Sequence, residues 1–412
     1  MNLPVTPKVL FIADKWCAGD PAFGLSEWEN NLWRSLAATK LADVRTFHFD
    51  EYYHLHGKRA DHALLQEVRD YDPDILCIVL YKMPGSDVNV PSFETLITLH
   101  QKHAHRPIFA IWGDLEIQEQ IDISKALLPY VHLNIATASS AAVARINNPK
   151  YFYSWVPKDQ TVFHNPNKKR DINVSYVGSP KKERLKRIEY LKQHDILVKH
   201  GGGERQEHRT TEAYADTFKR SKISLSFARA HASHVINARP FEIMLCGALL
   251  MEQENFETPK FYTPYIDYVP YTNNRDLLEK VRYFLEHEDE RQAIATHGQR
   301  TTETLYSAHR FWHTVLEQLL KSPRDEVSLP SFTLDPTRLS SVPALQMLRW
   351  RFLDWISSHA TSFFIYKLFH VKYWEAHLFS LFAAGRIVLE NRLPPRQFEK
   401  LVTFKRKYLN IF

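Results

Sequence analysis

Short apolar runs recur along this chain at Val9 to Ala13, Val44 to Phe49, Ile75 to Leu80, Ile108 to Trp112 and Val131 to Ala136, each separated from the next by a helical pattern. Alternation of that kind predicts a parallel sheet covered by helices on both faces, a Rossmann-like domain. The pattern restarts after a polar, proline-marked stretch, Tyr151 to Asp171, which reads as a linker ending in Lys168-Lys169-Arg170. The second series runs through Val174 to Val177, Ile196 to Lys199, Ile223 to Phe227, Ala248 to Met251 and Tyr268 to Pro270. Domains are therefore expected at 1–160, 161–321 and 322–412.

The densest signal lies in residues 223 to 252. A strand reaches a polar loop, then a short helix, Arg239-Pro240-Phe241-Glu242-Ile243-Met244-Leu245-Cys246-Gly247, then another strand. Pro240 fits only the first helical turn, Asn237 is placed to cap it, and Gly247 ends it. The start of such a helix would face the crevice beyond the strand's carboxyl edge, a seat for phosphate. Arg239 would add a charge-assisted bond, and Glu242, on the same face, could accept from two ribose hydroxyls. Spacing alone also permits a plain surface ion pair between these two residues. Two further strand ends point to the same crevice: Gly178-Ser179 followed by Lys181, and Gly201-Gly202-Gly203. Glycine there lets phosphate approach the backbone. Lys181 is the expected phosphate partner, with Lys182 and Arg184 facing solvent.

The stretch Asn237 to Glu252 resembles the donor-site signature of GT-B glycosyltransferases, particularly the group-1 type and its spore-coat-protein-like branch. Further likeness lies at Val174 to Ser179, Ile223 to Phe227, the helix after Asp276 and His309-Arg310. The resemblance covers residues 171 to about 320 well and 1 to 160 only in layout. It implies two Rossmann-like domains facing across a cleft, an α/β fold. It also implies transfer of a sugar from a nucleotide-diphosphate-sugar donor to a hydroxyl acceptor on glycan, lipid or protein, with Glu242 on the donor ribose. Retaining members carry a second glutamate eight positions earlier, where this chain has His234. Many relatives carry a histidine before the aspartate that matches Asp114, where this chain has Gly113.

The candidate nucleotide-sugar residues are thus Glu242, Arg239, Asn237, Gly178, Ser179, Lys181, Gly202 and Gly24, the last from the glycine-bearing loop after the first strand. Asp114, following the fourth strand, is the candidate catalytic group, to orient or deprotonate the acceptor; the alternative is that it caps a helix starting at Leu115. No cofactor and no metal are expected: Asp72-Pro-Asp74 precedes its strand and reads as a turn, and His54/His56 and His103/His105 lack companions at ligand spacing. A non-catalytic scaffold of the same shape and a sugar-nucleotide epimerase are the alternative functions.

Composition adds two bounds. Cys17, Cys77 and Cys246 are far apart beside apolar runs and are expected as buried free thiols, with no disulfide framework. Together with the lack of a signal-peptide pattern at the start, this gives an expected cytoplasmic location. The formal charge is +6, and beyond Ser322 thirteen basic residues face seven acidic ones, so the tail carries the whole excess. That tail is dense in aromatics, and charges interrupt every window long enough to span a bilayer. Its expected helices either dock on the protein or lie on an anionic membrane, at its inner face, near lipid-linked acceptors. Nucleic acid is not expected as a partner.

Overall fold

The computed structural model describes residues 6–102, 106–179, 181–201, 210–227 and 235–321. The helical extension expected over 322–412 lies outside them, as do Gly202 and His234.

Six strands form the first sheet: β1 (Lys8–Ala13), β2 (Asp43–His48), β3 (Ile75–Ile78), β4 (Ile108–Trp112), β5 (Leu133–Ala136) and β6 (Tyr151–Tyr153). They pair in the order β2-β1-β3-β4-β5-β6, all parallel. Every residue of β3, β4 and β5 is buried, because helices cover both faces. Each fully buried aliphatic side chain contributes about 1.5–3 kcal/mol. The sixth strand corrects the sequence reading, which had placed Tyr151 to Tyr153 in a linker. Its polar flanks hide an edge strand only three residues long.

The second sheet holds β7 (Ile172–Val177), β8 (Val198–Gly201), β9 (Ser221–Ser226), β10 (Leu249–Gln253) and β11 (Val269–Tyr271), ordered β11-β10-β9-β7-β8 and again parallel. The eighth strand starts two residues later than expected. Asp195 turns with φ 65°, and Ile196 N–H still bonds the Leu191 carbonyl at the preceding helix end.

Three helices close the described chain: Asn274–Glu286, Glu288–Leu305 and Ala308–Lys321. Between the last two the chain breaks at Tyr306 and Ser307. Tyr306 is buried against Trp155 and Phe241, and Ser307 Oγ accepts from Arg310 N–H, starting a new helix. That last helix returns to the first half, where Trp312 Nε1 donates to Ser35 Oγ at 2.8 Å and its ring packs edge-on against Phe11. A second tie runs through buried Glu257, which accepts from Ser140 Oγ at 2.9 Å and Tyr153 Oη at 2.8 Å. One apolar cluster consequently runs from the first sheet through Phe241 to Trp312.

Two of the three thiols follow expectation: Cys77 and Cys246 are buried and free. Cys17 is free but exposed, because it sits in the loop after β1 instead of in an apolar layer.

Candidate nucleotide-sugar site

In doubly wound sheets ligands bind where the strand order reverses, beyond the carboxyl ends of the strands. In the second sheet that point lies between β7 and β9. Gly178 follows β7, and its N–H bonds the Gly201 carbonyl at 2.9 Å. The helix Arg239–Leu245 sends Arg239 to the same spot, with Nη2 2.7 Å from the position a Cβ on Gly178 would take. The guanidinium lies over the Tyr176 ring at 5.6 Å, yet its buried Nε and Nη1 have no hydrogen-bond partner among the described residues. Burial opposes its charge, but Tyr214, Tyr176, Glu242 and Glu27 outweigh that and hold its proton more firmly than usual. A buried cation with two unused donors is poised for an anion.

Glu242 is 5% exposed and is not paired with Arg239 on the surface. Its Oε1 accepts from Lys158 Nζ at 2.7 Å and its Oε2 from Tyr214 Oη at 2.5 Å. Lys158, 1% exposed, comes from the segment joining the two sheets, 84 residues away in sequence. A carboxylate offers about four lone-pair sites, so two remain for ligand hydroxyls. Sequence reasoning missed Lys158, because a lysine in a proline-marked stretch reads as solvated. Glu252, at the end of β10, is also buried and accepts from Ser226 Oγ and Thr258 Oγ1; burial pushes its pKa from 4.5 up to about 7.

The opposite wall comes from the first sheet, whose order reverses between β1 and β3. Asp14 follows β1, and burial, aided by the charge of Asp50, lifts its pKa from 3.8 to about 7. The loop then makes two tight turns, with Gly24 at φ 76°, and enters a helix whose first residues are Glu27 and Trp28. That helix carries a π turn over Glu29–Trp33, a feature frequent near functional sites. The Glu27 surface is open to water, yet protein surrounds it, as expected for a side chain deep in a cleft. Burial first, then the charge of Glu242, raises its pKa; Lys158 and Arg239 pull the other way, and Asp114 adds to the rise. The Trp28 indole lies over Gly113, where a Cβ would come within 2.2 Å of it. This ring thus fills the space that a side chain at residue 113 would need.

The other candidates divide. Asp114 is half-buried beyond β4; the next helix begins at Gln118 with Ile117 flanking it, so Asp114 does not cap it. Asn237 does not cap its helix either: residue 238 occupies that position and no side chain caps it, because the backbone there is already helical. Ser179 and Lys181 are exposed, with Lys181 flanking the helix Lys182–Lys192. Arg184, expected in solvent, turns back instead, and its Nη1 donates to Tyr176 Oη at 3.1 Å. Among the described residues no cluster of His, Cys, Asp and Glu stands ready for a metal, and no helix is long and apolar enough to cross a membrane.

Two parallel α/β domains facing across a cleft define the GT-B class of fold. Residues 162–317 match the family described as Glycosyl transferase-like, and the resemblance to group-1-type GT-B proteins holds. Solved structures with the same fold include HepE from Anabaena in complex with UDP and glucose, 12% identical over 77% of this chain and 100% of that one, with a TM-score of 0.51. Sucrose-phosphate synthase from Thermosynechococcus elongatus is 11% identical over 76% and 99%, with a TM-score of 0.50. A glycosyltransferase from Rickettsia africae is 9% identical over 77% and 99%, with a TM-score of 0.51. No curated protein sequence matches the chain.

Proposed function

We propose that this protein transfers a sugar from a nucleoside-diphosphate sugar to a hydroxyl acceptor on a glycan, lipid or protein. The observation that carries this reading is the buried guanidinium of Arg239, with Nε and Nη1 unbonded among the described residues, beside the Cβ-free face of Gly178. Breaking the sugar–phosphate bond puts growing charge on the departing diphosphate, and a preorganised cation in a water-poor crevice stabilises that charge best. Each charge-assisted bond contributes about 1.5–3 kcal/mol. Glu242, held by Lys158 and Tyr214, keeps a fixed pair of acceptor sites for ribose hydroxyls. The HepE structures with UDP and with UDP-glucose support a nucleotide sugar of this kind as donor. In this reading Gly178, Ser179, Lys181 and Gly24 line the donor path and Asp114 faces the acceptor. The electrostatics of these residues call for no metal.

A second reading, donor binding without turnover, draws on the Trp28 ring filling the space that a side chain at residue 113 would need. Incubating the protein with UDP-, GDP-, ADP- and dTDP-sugars and measuring released nucleoside diphosphate separates the two. Release by the wild-type protein and not by Arg239→Ala supports transfer. Binding with no release supports the second reading, and conversion of the donor sugar without any release would indicate an epimerase.

A further inference from the structure

Glu27 is absent from the sequence-derived candidates, yet its surroundings single it out. It opens the helix that follows the first-sheet loop and is accessible to solvent, and its carboxylate makes no hydrogen bond or ion pair among the described residues. From the second domain Lys158, Tyr214, Arg239 and Glu242 lie within electrostatic reach; from its own domain Asp114 and Cys17 do. A carboxylate without a partner among the described residues, within electrostatic reach of the cation suited to the leaving diphosphate, is placed to meet an acceptor hydroxyl entering from the first domain.

We propose that Glu27 is the catalytic base of the transfer, taking the proton of the acceptor hydroxyl; this rests on the sugar-transfer reading above. As the acceptor oxygen bonds to the anomeric carbon, its proton passes to Glu27. The carbon–oxygen bond to the donor phosphate breaks, and its electron pair leaves with the nucleoside diphosphate. Glu27 then returns its proton to solvent, and no other reactant is needed. Burial first, then the charges of Glu242 and Asp114 against the pull of Lys158 and Arg239, keeps the carboxylate more basic than an ordinary glutamate, which suits it to a hydroxyl.

The test uses Glu27→Gln, which keeps size and hydrogen-bonding shape, and Glu27→Asp, with the donor that the wild-type protein turns over and water or a hydroxyl compound as acceptor. Glu27→Gln should bind the nucleoside diphosphate within about threefold of wild type while its kcat falls by about 100-fold or more, the range of a lost general base. Glu27→Asp should recover part of the loss, and the ascending limb of the wild-type pH–rate profile should vanish in Glu27→Gln. Turnover by Glu27→Gln within a few fold of wild type, with the limb retained, overturns the assignment. So does a wild-type protein that binds donor and releases nothing, although donor binding then stands. A wild-type protein that binds no nucleoside diphosphate overturns the reading beneath it.

Discussion

Arg239 occupies the space that a side chain on residue 178 would need: its Nη2 lies 2.7 Å from the Cβ position of Gly178, which Tyr176 Oη approaches equally closely. Gly178→Ala must therefore move the guanidinium. A misplaced charged group loses one bond to the diphosphate, so nucleotide affinity should fall by about tenfold or more. Calorimetry with the nucleoside diphosphate checks this.

The same guanidinium should weaken the fold it sits in. Its charge is favoured by its neighbours, but two buried nitrogens without a partner among the described residues cost stability, and an apolar side chain of similar length removes that cost. Arg239→Met is expected to melt at the wild-type temperature or above it, while no longer responding to nucleotide. A variant several degrees less stable would mean that Arg239 serves the scaffold instead.

Lys158 and Glu242 behave oppositely, since each is the other's partner at 2.7 Å. Lys158→Met leaves Glu242 buried with Tyr214 alone and should destabilise by about 3–5 kcal/mol, the usual result of breaking a buried pair. Adding Glu242→Gln should return part of that loss, readable in urea unfolding as a favourable coupling between the two sites.

Asp14 gives a pH signature. Its folded pKa, about 7, lies above its ordinary 3.8, so the native state favours the protonated form. Its contribution to stability is full below about pH 4, is lost as pH rises towards about 7, and is flat beyond. Asp14→Asn lacks that loss. Between about pH 5 and 7 the variant should gain about 2 kcal/mol on the wild type, measured by urea unfolding across the range.

Trp28 and Gly113 define a steric pair. Gly113→Ala brings a methyl group to within 2.2 Å of the indole and should cost about 1–3 kcal/mol. In Trp28→Leu the same change should cost much less, as thermal melts of the wild type and the three variants would reveal.

The strands were legible in the sequence wherever helices cover both faces, because burial on both sides writes them as continuous apolar runs such as Ile108 to Trp112. Tyr151 to Tyr153 was not, since an edge strand of three residues leaves too short a pattern. The glycine and arginine of the crevice, Gly178 and Arg239, were legible because turn chemistry and helix starts are local. Their partners were not. Lys158 meets Glu242 from 84 residues away, and Arg184 bends back over Tyr176, contacts that only the folded chain creates. Glu27 was not legible either, because nothing local marks the cleft above it.

Calorimetric titration of UDP and GDP into the wild-type protein and Arg239→Ala probes the proposed crevice most directly. At least one nucleotide should bind one-to-one to the wild type and weaken by about 10-fold or more in the variant, the loss of one charge-assisted contact. No binding by the wild type, or equal affinity in both proteins, would contradict a diphosphate seat between Gly178 and Arg239.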